Sequence, residues 1–199
     1  MIEVQDGPRV VLREADTPAD ASIRTAGRQL FARLTAGDRA ALGELYDLAA
    51  ARLYGLALWR TGDPADAEEV VQEVFVRLAE QRDRLAGIRD PLSWLFTVTH
   101  RAAVDCVRRR RVRAAEPMEH CDYLVATVLE PERQLDAARA SRALTELPPK
   151  QREVLYLHHF LGLSFAAIGA VVRAPLFTVA SRHRLGLARL RKRLEEVTR

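Results

Sequence analysis

Residues 162–194 read "GLSFAAIGAVVRAPLFTVASRHRLGLARLRKRL", and this stretch decides the fold. Ser164 is a natural cap for a helix over Phe165–Val172, Pro175 breaks the chain, and Arg173–Pro175 is left as a turn. Two short helices around a tight turn are the spacing of a helix-turn-helix. The second helix carries Arg182, Arg184, Arg189, Arg191, Lys192 and Arg193, and no acidic residue falls between Leu176 and Arg193. Leu185, Ala188 and Leu190 are spaced for packing, and the remaining surface is positive, as a reader of a polyanion such as the DNA backbone requires. The plainer alternative is a solvated basic face on a terminal helix.

Upstream, proline punctuates a run of further helices. "LPP" at Leu147–Pro149 opens a helix through Val154, Leu155 and Leu157, which Gly162 ends. Helical pattern begins again near Asp136, and the preceding region from Ala114, with Pro117 and Pro131, reads as a linker. Before it, Asp90 and Pro91 start "PLSWLFTVTHRAAVDCVRRRRVR", and Asp63 and Pro64 start a helix whose buried stripe is Val70, Val71, Val74, Phe75 and Leu78 and whose end is near Gln81. A further helix, with Asp38 placed as its cap, spaces Leu42, Leu45, Tyr46, Ala49, Leu53 and Leu56 at three- and four-residue steps. The first two dozen residues lack a sustained period and read as a mostly flexible extension.

With no strand ladder or repeat evident, the expected fold is all-α, with two small helical domains. The boundaries expected are an extension over 1–27, a first domain over 28–113, a linker over 114–135 and a helix-turn-helix domain over 136–199. The chain has 199 residues, 48% of them hydrophobic, enough for buried cores, and a net charge of only +4. Binding to nucleic acid must therefore come from local clustering of charge and not from the overall field. No apolar run approaches the roughly 20 residues that cross a bilayer, and the N-terminus has no signal pattern, so a cytoplasmic protein without membrane insertion is expected. Cys106 and Cys121 form no disulfide framework, in keeping with a reducing compartment.

Two neighbouring helices carry opposed surfaces. On the helix after Pro64, Glu69, Gln72, Glu73 and Glu80 lie on or beside one side, opposite the Val/Phe stripe, and Asp66 and Glu68 widen the acidic field. Acids near a helix N-terminus are also simply favourable to the dipole. The next helix has Trp94 and Phe96 near its start and Arg101, Arg108, Arg109, Arg110, Arg111 and Arg113 towards its end. Aromatic rings stack on unstacked bases while arginines hold phosphates; equally, Trp94 and Phe96 are residue types that fill cores. Six arginines with Asp105 as the nearby acid point to a polyanionic partner or to a frayed helix end.

"DPADAEEVVQEVFVRLAE", then "PLSWLFTVTHRAAVDCVRRRR", then "LPPKQREVLYLHHFLGLSFAAIGAVV" ahead of a basic helix resembles, in order and spacing over about Ala36–Arg193, a bacterial RNA polymerase sigma factor of the extracytoplasmic-function (ECF) type. The resemblance implies a first domain like sigma region 2 and a second like region 4, with no catalysis of their own. It implies that Glu69, Gln72 and Glu73 bind the clamp helices of the largest subunit of core RNA polymerase. The connector Arg82–Asp90 matches the loop that receives a flipped promoter base. Trp94, His100, Arg101, Arg108, Arg109 and Arg111 belong to the segment that meets and melts the minus-ten element of promoter DNA. Thr178, Ser181, Arg182 and Arg184 lie where the recognition helix meets the minus-thirty-five element. Many relatives are held by an anti-sigma factor, a partner that the resemblance suggests and no single residue identifies.

The chain departs from the family pattern at His100 and Arg101, where a basic residue followed by Asn is usual. In the helix-turn-helix it has Ala167 for an acid, Arg173 for the turn glycine, Phe177 for the glycine opening the recognition helix, and Ala180 for a basic residue. Arg173 at a position of positive φ implies strain unless the turn has another geometry. An alternative therefore stands beside promoter recognition: a sigma-like interaction protein that binds polymerase or a regulator with altered or lost minus-thirty-five reading. An ordinary helix-turn-helix regulator working without polymerase is a further one. No cofactor is expected: His100, Cys106, His120, Cys121, His158 and His159 form no CxxC or HxxxH pair, and His183 reads as a solvent-facing residue beside phosphate. Cys106 reads as a small core residue.

Overall fold

The computed structural model describes residues 18–81, 85, 87–114 and 143–197, and every regular element among them is an α-helix. Two compact units are present, the first centred on the helices before residue 115 and the second on those after residue 142. The linker expected over 114–135 and the start of the second domain at 136 fall almost wholly outside the described residues.

The first unit contains α1 (Pro18–Thr35), α2 (Ala40–Thr61), α3 (Pro64–Glu80) and α4 (Pro91–Ala114). Its start corrects the sequence reading, because α1 begins inside the stretch taken as a flexible extension. Leu30, Phe31 and Leu34 are buried, and α1 packs on both α2 and α4. Gly27 lets it approach: a Cβ there would lie 3.0 Å from Leu92 Cγ. The face is short and broken by polar residues, so its helical character rests on these partners more than on propensity. Leu45, Leu53 and Leu56 of α2, Val70, Val74 and Leu78 of α3, and Leu95 and Phe96 of α4 fill the core.

The caps agree with the side chains that suggested them. Asp63 accepts the Asp66 N–H at 3.0 Å with Pro64 opening α3, and Asp90 accepts the N–H and hydroxyl of Ser93 at 3.2 and 2.7 Å. Asp38 accepts the Ala40 N–H at 2.9 Å, although Arg39 and not Asp38 is the residue that flanks α2. These bonds satisfy amides that the first turn leaves unpaired.

In the second unit, residues 143–145 are helical, and α5 (Pro149–His159), α6 (Phe165–Val172) and α7 (Leu176–Val197) follow. Gly162, at φ 66°, turns the chain after α5, and Ser164 Oγ accepts the Ala167 N–H at 3.2 Å to start α6. The axis bends by 103° between α6 and α7, within the range of a helix-turn-helix. Arg173 sits at φ 50°, so the turn keeps its left-handed residue although it has a side chain. The Ala174 N–H reaches back to the Gly169 carbonyl at 3.0 Å, the long closing bond of a Schellman motif. Gly169 is needed for this closure, since a Cβ there would lie 2.8 Å from the Ala174 carbonyl oxygen.

The core of this unit is Val154, Leu155, Leu157, Ile168, Val179 and Leu190. The packing face of α7 differs from the one expected. Leu185 is 44% exposed and Ala188 is exposed, whereas Val179, Gly186 and Leu190 face inward. Positions 179, 186 and 190 repeat by whole turns, and Leu185 lies about 100° around the helix from Gly186. The second helix is also long, not short: its 22 residues extend well beyond the turn.

Candidate functional site

On α3, Glu69 and Gln72 are exposed, while Glu73 is partly covered and accepts a hydrogen bond from Arg77 one turn on. Val76, 56% exposed, and Tyr46 of α2, 47% exposed, add apolar surface beside the acids. The Tyr46 ring lies 4.9 Å from that of Phe75. Between α2 and α3 runs a groove of about 390 Å³ whose walls include Tyr46, Tyr54, Glu68 and Gln72. The face is therefore acidic with an aromatic margin, a composition suited to a protein partner. Sequence reading found the acids and missed Tyr46 and Val76, which periodicity alone assigns to the interior or leaves unremarked.

Along α4, Trp94, Arg101 and Arg108 recur every seven residues and so share a stripe. Arg101, Arg108 and Arg109 are exposed; the side chain of Arg111 lies outside the described residues. Trp94 is half-buried, its ring edge-to-face with Phe31 of α1 at 6.0 Å. Phe96 is buried, with the Arg52 guanidinium 5.3 Å above its ring. Two residues of the expected DNA surface are placed elsewhere. His100 is 6% exposed, buried in the bundle and not on the stripe, because it stands one residue round from Arg101. Arg110 points back to α3, donating to Asp66 Oδ2 at 2.7 Å and to the Thr61 carbonyl at 3.1 Å. Cys106 is buried as expected of a small core residue, and burial pushes its thiol pKa up.

The described part of the connector before α4 forms one side of a second groove, of about 260 Å³, in which Leu85, Ile88 and Arg89 meet Arg28 and Phe31 of α1. The α1 wall was not legible in a sequence reading that left this helix out.

On α7, Thr178, Ser181 and Arg182 are half-buried and Arg184 is exposed. Phe177 and Leu176, 83% and 58% exposed, stand at the open end of the helix. Not all the basic residues are available: Arg189 donates to Gln151 at 2.9 Å, and Arg193 pairs with Glu146 at 3.2 Å. His183 corrects the expectation of a solvent-facing residue. It is half-buried against His158, His159 and Phe165, and burial, with the two neighbouring histidines, pushes its pKa down to about 4.

The bundle carries an acidic-aromatic face and an arginine stripe, the second unit carries a helix-turn-helix, and comparison with known proteins places this pair of domains among two-domain transcription proteins. The sigma-70 region 2 family model matches residues 45–113 and the sigma-70 region 4 model residues 137–190. The chain is 32% identical over 176 residues to the ECF RNA polymerase sigma factor SigK of Mycolicibacterium vanbaalenii, covering 82% of this chain and 86% of that one. It is 32% identical over 177 residues to SigK of Mycobacterium tuberculosis H37Rv, covering 83% and 92%. The chain belongs to the ECF RNA polymerase sigma factors. Its fold is similar to CnrH in complex with the cytosolic domain of CnrY (TM-score 0.62, 24% identity, 86% of this chain and 98% of that one). It is also similar to RpoE in complex with the anti-sigma factor NepR from Bartonella quintana (TM-score 0.63, 22% identity, 77% and 96%). The all-α fold and the pair of sigma domains stand as expected, and family membership makes the chain a transcription factor and not an enzyme. No single helix among the described residues is long and apolar enough to cross a membrane.

Proposed function

We propose that the chain docks on core RNA polymerase through Glu69, Gln72 and Glu73 and directs recognition and melting of specific promoters. The observation that carries this reading is the pairing, on one bundle, of the exposed acids of α3 with the α4 stripe of Trp94, Arg101 and Arg108. The first face suits a basic or amphipathic protein surface, and the second suits the phosphates and bases of a separated strand. Arg109 extends the second surface, and Arg111 is assigned to it by its place in the motif alone. The groove of Phe31, Ile88 and Arg89 is the place for a base turned out of the stack. Minus-thirty-five contacts fall to Thr178, Ser181, Arg182 and Arg184. The first domain takes in α1, so its boundary lies upstream of residue 28, and the protein works in the cytoplasm.

The reading in which minus-thirty-five recognition is altered or lost is favoured by the exposed Phe177 at the head of α7. It is weakened by Arg173, which adopts the left-handed conformation the turn requires. Because two structural relatives are described in complexes with CnrY and NepR, an anti-sigma partner for this chain is part of the proposal.

Reconstitution with core polymerase tests the whole reading. Changing Glu69→Lys and Glu73→Lys together should weaken holoenzyme formation about tenfold or more; unchanged binding removes the docking assignment. A footprint on a cognate promoter should extend upstream to the minus-thirty-five element, and a footprint confined to the minus-ten region favours the interaction-protein reading.

A further inference from the structure

An adjacent pair of histidines, His158 and His159, meets a third, His183, 24 residues further along the chain, in the second unit. His158 and His159 lie in the last turn of α5, and His183 is on α7. His159 Nε2 and His183 Nε2 are 3.0 Å apart, and one ligating nitrogen from each of the three rings can be chosen so that all lie within 4.8 Å of one another. His158 Nδ1 is 2.9 Å from the Leu163 carbonyl oxygen. A carbonyl only accepts, so Nδ1 carries the proton and Nε2 keeps its lone pair. An imidazole whose outer N–H is held by a backbone carbonyl is the usual support of a metal-bound histidine.

We propose that His158, His159 and His183 form a binding site for a divalent transition-metal ion of the zinc type, linking the end of α5 to the recognition helix α7. Three imidazoles are a borderline-soft nitrogen set that suits zinc and its neighbours and not magnesium or calcium. With metal–nitrogen bonds of about 2.0–2.1 Å, nitrogens around one ion stand roughly 3–3.5 Å apart. The His159–His183 spacing is already close to that, and the widest separation, up to 4.8 Å, would have to close by small rotations of the partly exposed rings. All three histidines keep part of their surface exposed, so an ion has a path in and water can take a fourth position. Phe165 packs on His158 and His183 at 4.7 and 5.0 Å, limiting the rotamers the rings can take. The carbonyl end of α5 carries partial negative charge that favours a cation.

The site rests on geometry alone and is independent of promoter recognition. An ion there would pin α7 to α5 through bonds much stronger than a histidine–histidine contact. It would also add two units of positive charge to the recognition helix at the residue between Arg182 and Arg184.

The experiment uses the full chain without a histidine tag, stripped with chelator and titrated with Zn²⁺ against a chromophoric competitor, then with Co²⁺ followed by its visible spectrum. One equivalent should bind with micromolar or tighter affinity, give a low-symmetry cobalt spectrum with nitrogen ligands, and raise the melting temperature of the second domain. His159→Ala and His183→Ala should each weaken binding at least about tenfold, with His120→Ala unchanged. His183→Gln retains a hydrogen-bonding partner for His159 but is a poor ligand, so it decides the matter if the alanine variant fails to fold. Absence of stoichiometric binding by the wild-type chain, or equal affinity in folded His183→Gln, overturns the site.

Discussion

Arg110 of α4 and Asp66 in the first turn of α3 form a part-buried ion pair with Nη1 and Oδ2 2.7 Å apart. The same guanidinium caps the end of α2 through the Thr61 carbonyl, so one side chain ties three helices together. Replacing it by alanine leaves a partly covered carboxylate and a carbonyl without their donor. Arg110→Ala should destabilise the first domain by about 1–3 kcal/mol in chemical denaturation. Arg108→Ala, with its 77% exposed side chain, should cost roughly 0.5 kcal/mol or less. Equal effects would mean that the pair contributes no more than a surface charge.

Arg33 grips two acids across the α1–α2 junction, Glu44 in two-pronged fashion at 2.9 and 2.7 Å and Asp38 at 2.8 Å. Hydrogen bonds to this guanidinium hold both carboxyl pKa values below their ordinary range. A carboxyl whose folded pKa is depressed stabilises the fold above its unfolded pKa, and that contribution is lost as pH falls through the folded value. Amide protection over α1, measured relative to the intrinsic exchange rate at each pH, should therefore be high at neutral pH and fall on acidification below the usual carboxylate range. In Arg33→Met, carboxyl titration followed by NMR should show both midpoints moving up. Unmoved midpoints would show that the network does not persist in solution, where exposed pairs are screened.

At Arg173, φ 50° combines with an exposed side chain, so the substitution by glycine removes strain and few contacts. Arg173→Gly should stabilise the second domain by roughly 0.5–1.5 kcal/mol, seen as a higher denaturation midpoint with an unchanged slope. Gly169→Ala should act oppositely, because its Cβ meets the Ala174 carbonyl. A neutral or destabilising Arg173→Gly would indicate that the arginine makes contacts that offset its backbone cost.

Arg182 and Arg184 offer a prediction in salt. If each neutralises one phosphate, then Arg182→Ala and Arg184→Ala together should reduce the slope of log affinity against log salt for holoenzyme on promoter DNA by about 2. Arg189→Ala should leave the slope nearly unchanged, since Arg189 is engaged with Gln151. A slope unaltered by the double change would place both arginines away from the backbone.

Sequence made the helix-turn-helix legible almost residue by residue, since Ser164, Arg173 and Pro175 act locally on their own turns. Caps at Asp63 and Asp90 were readable for the same reason. What stayed hidden depends on partners brought from a distance. Helix α1 is stabilised by surfaces of α2 and α4, and Arg110 differs from Arg108 only because Asp66 waits on a neighbouring helix. His100 and Arg101 are adjacent in the chain, but one is buried and the other exposed, a distinction of phase that needs the helix axis. The histidine cluster is the extreme case: the doublet at 158–159 and the single residue at 183 acquire meaning only when α5 and α7 pack.

Gly186 has a mechanical consequence. A Cβ there would lie 3.0 Å from Leu155 Cδ1, so the backbone of α7 rests almost directly on α5 and the contact behaves as a fulcrum. Thr178 lies about 12 Å from it along the axis, at 1.5 Å per residue. On such an arm a tilt of about 5° moves the leading end of the helix by roughly 1 Å, enough to lengthen a hydrogen bond past its useful range. Small adjustments between α5 and α7 are thus amplified where the helix would touch DNA.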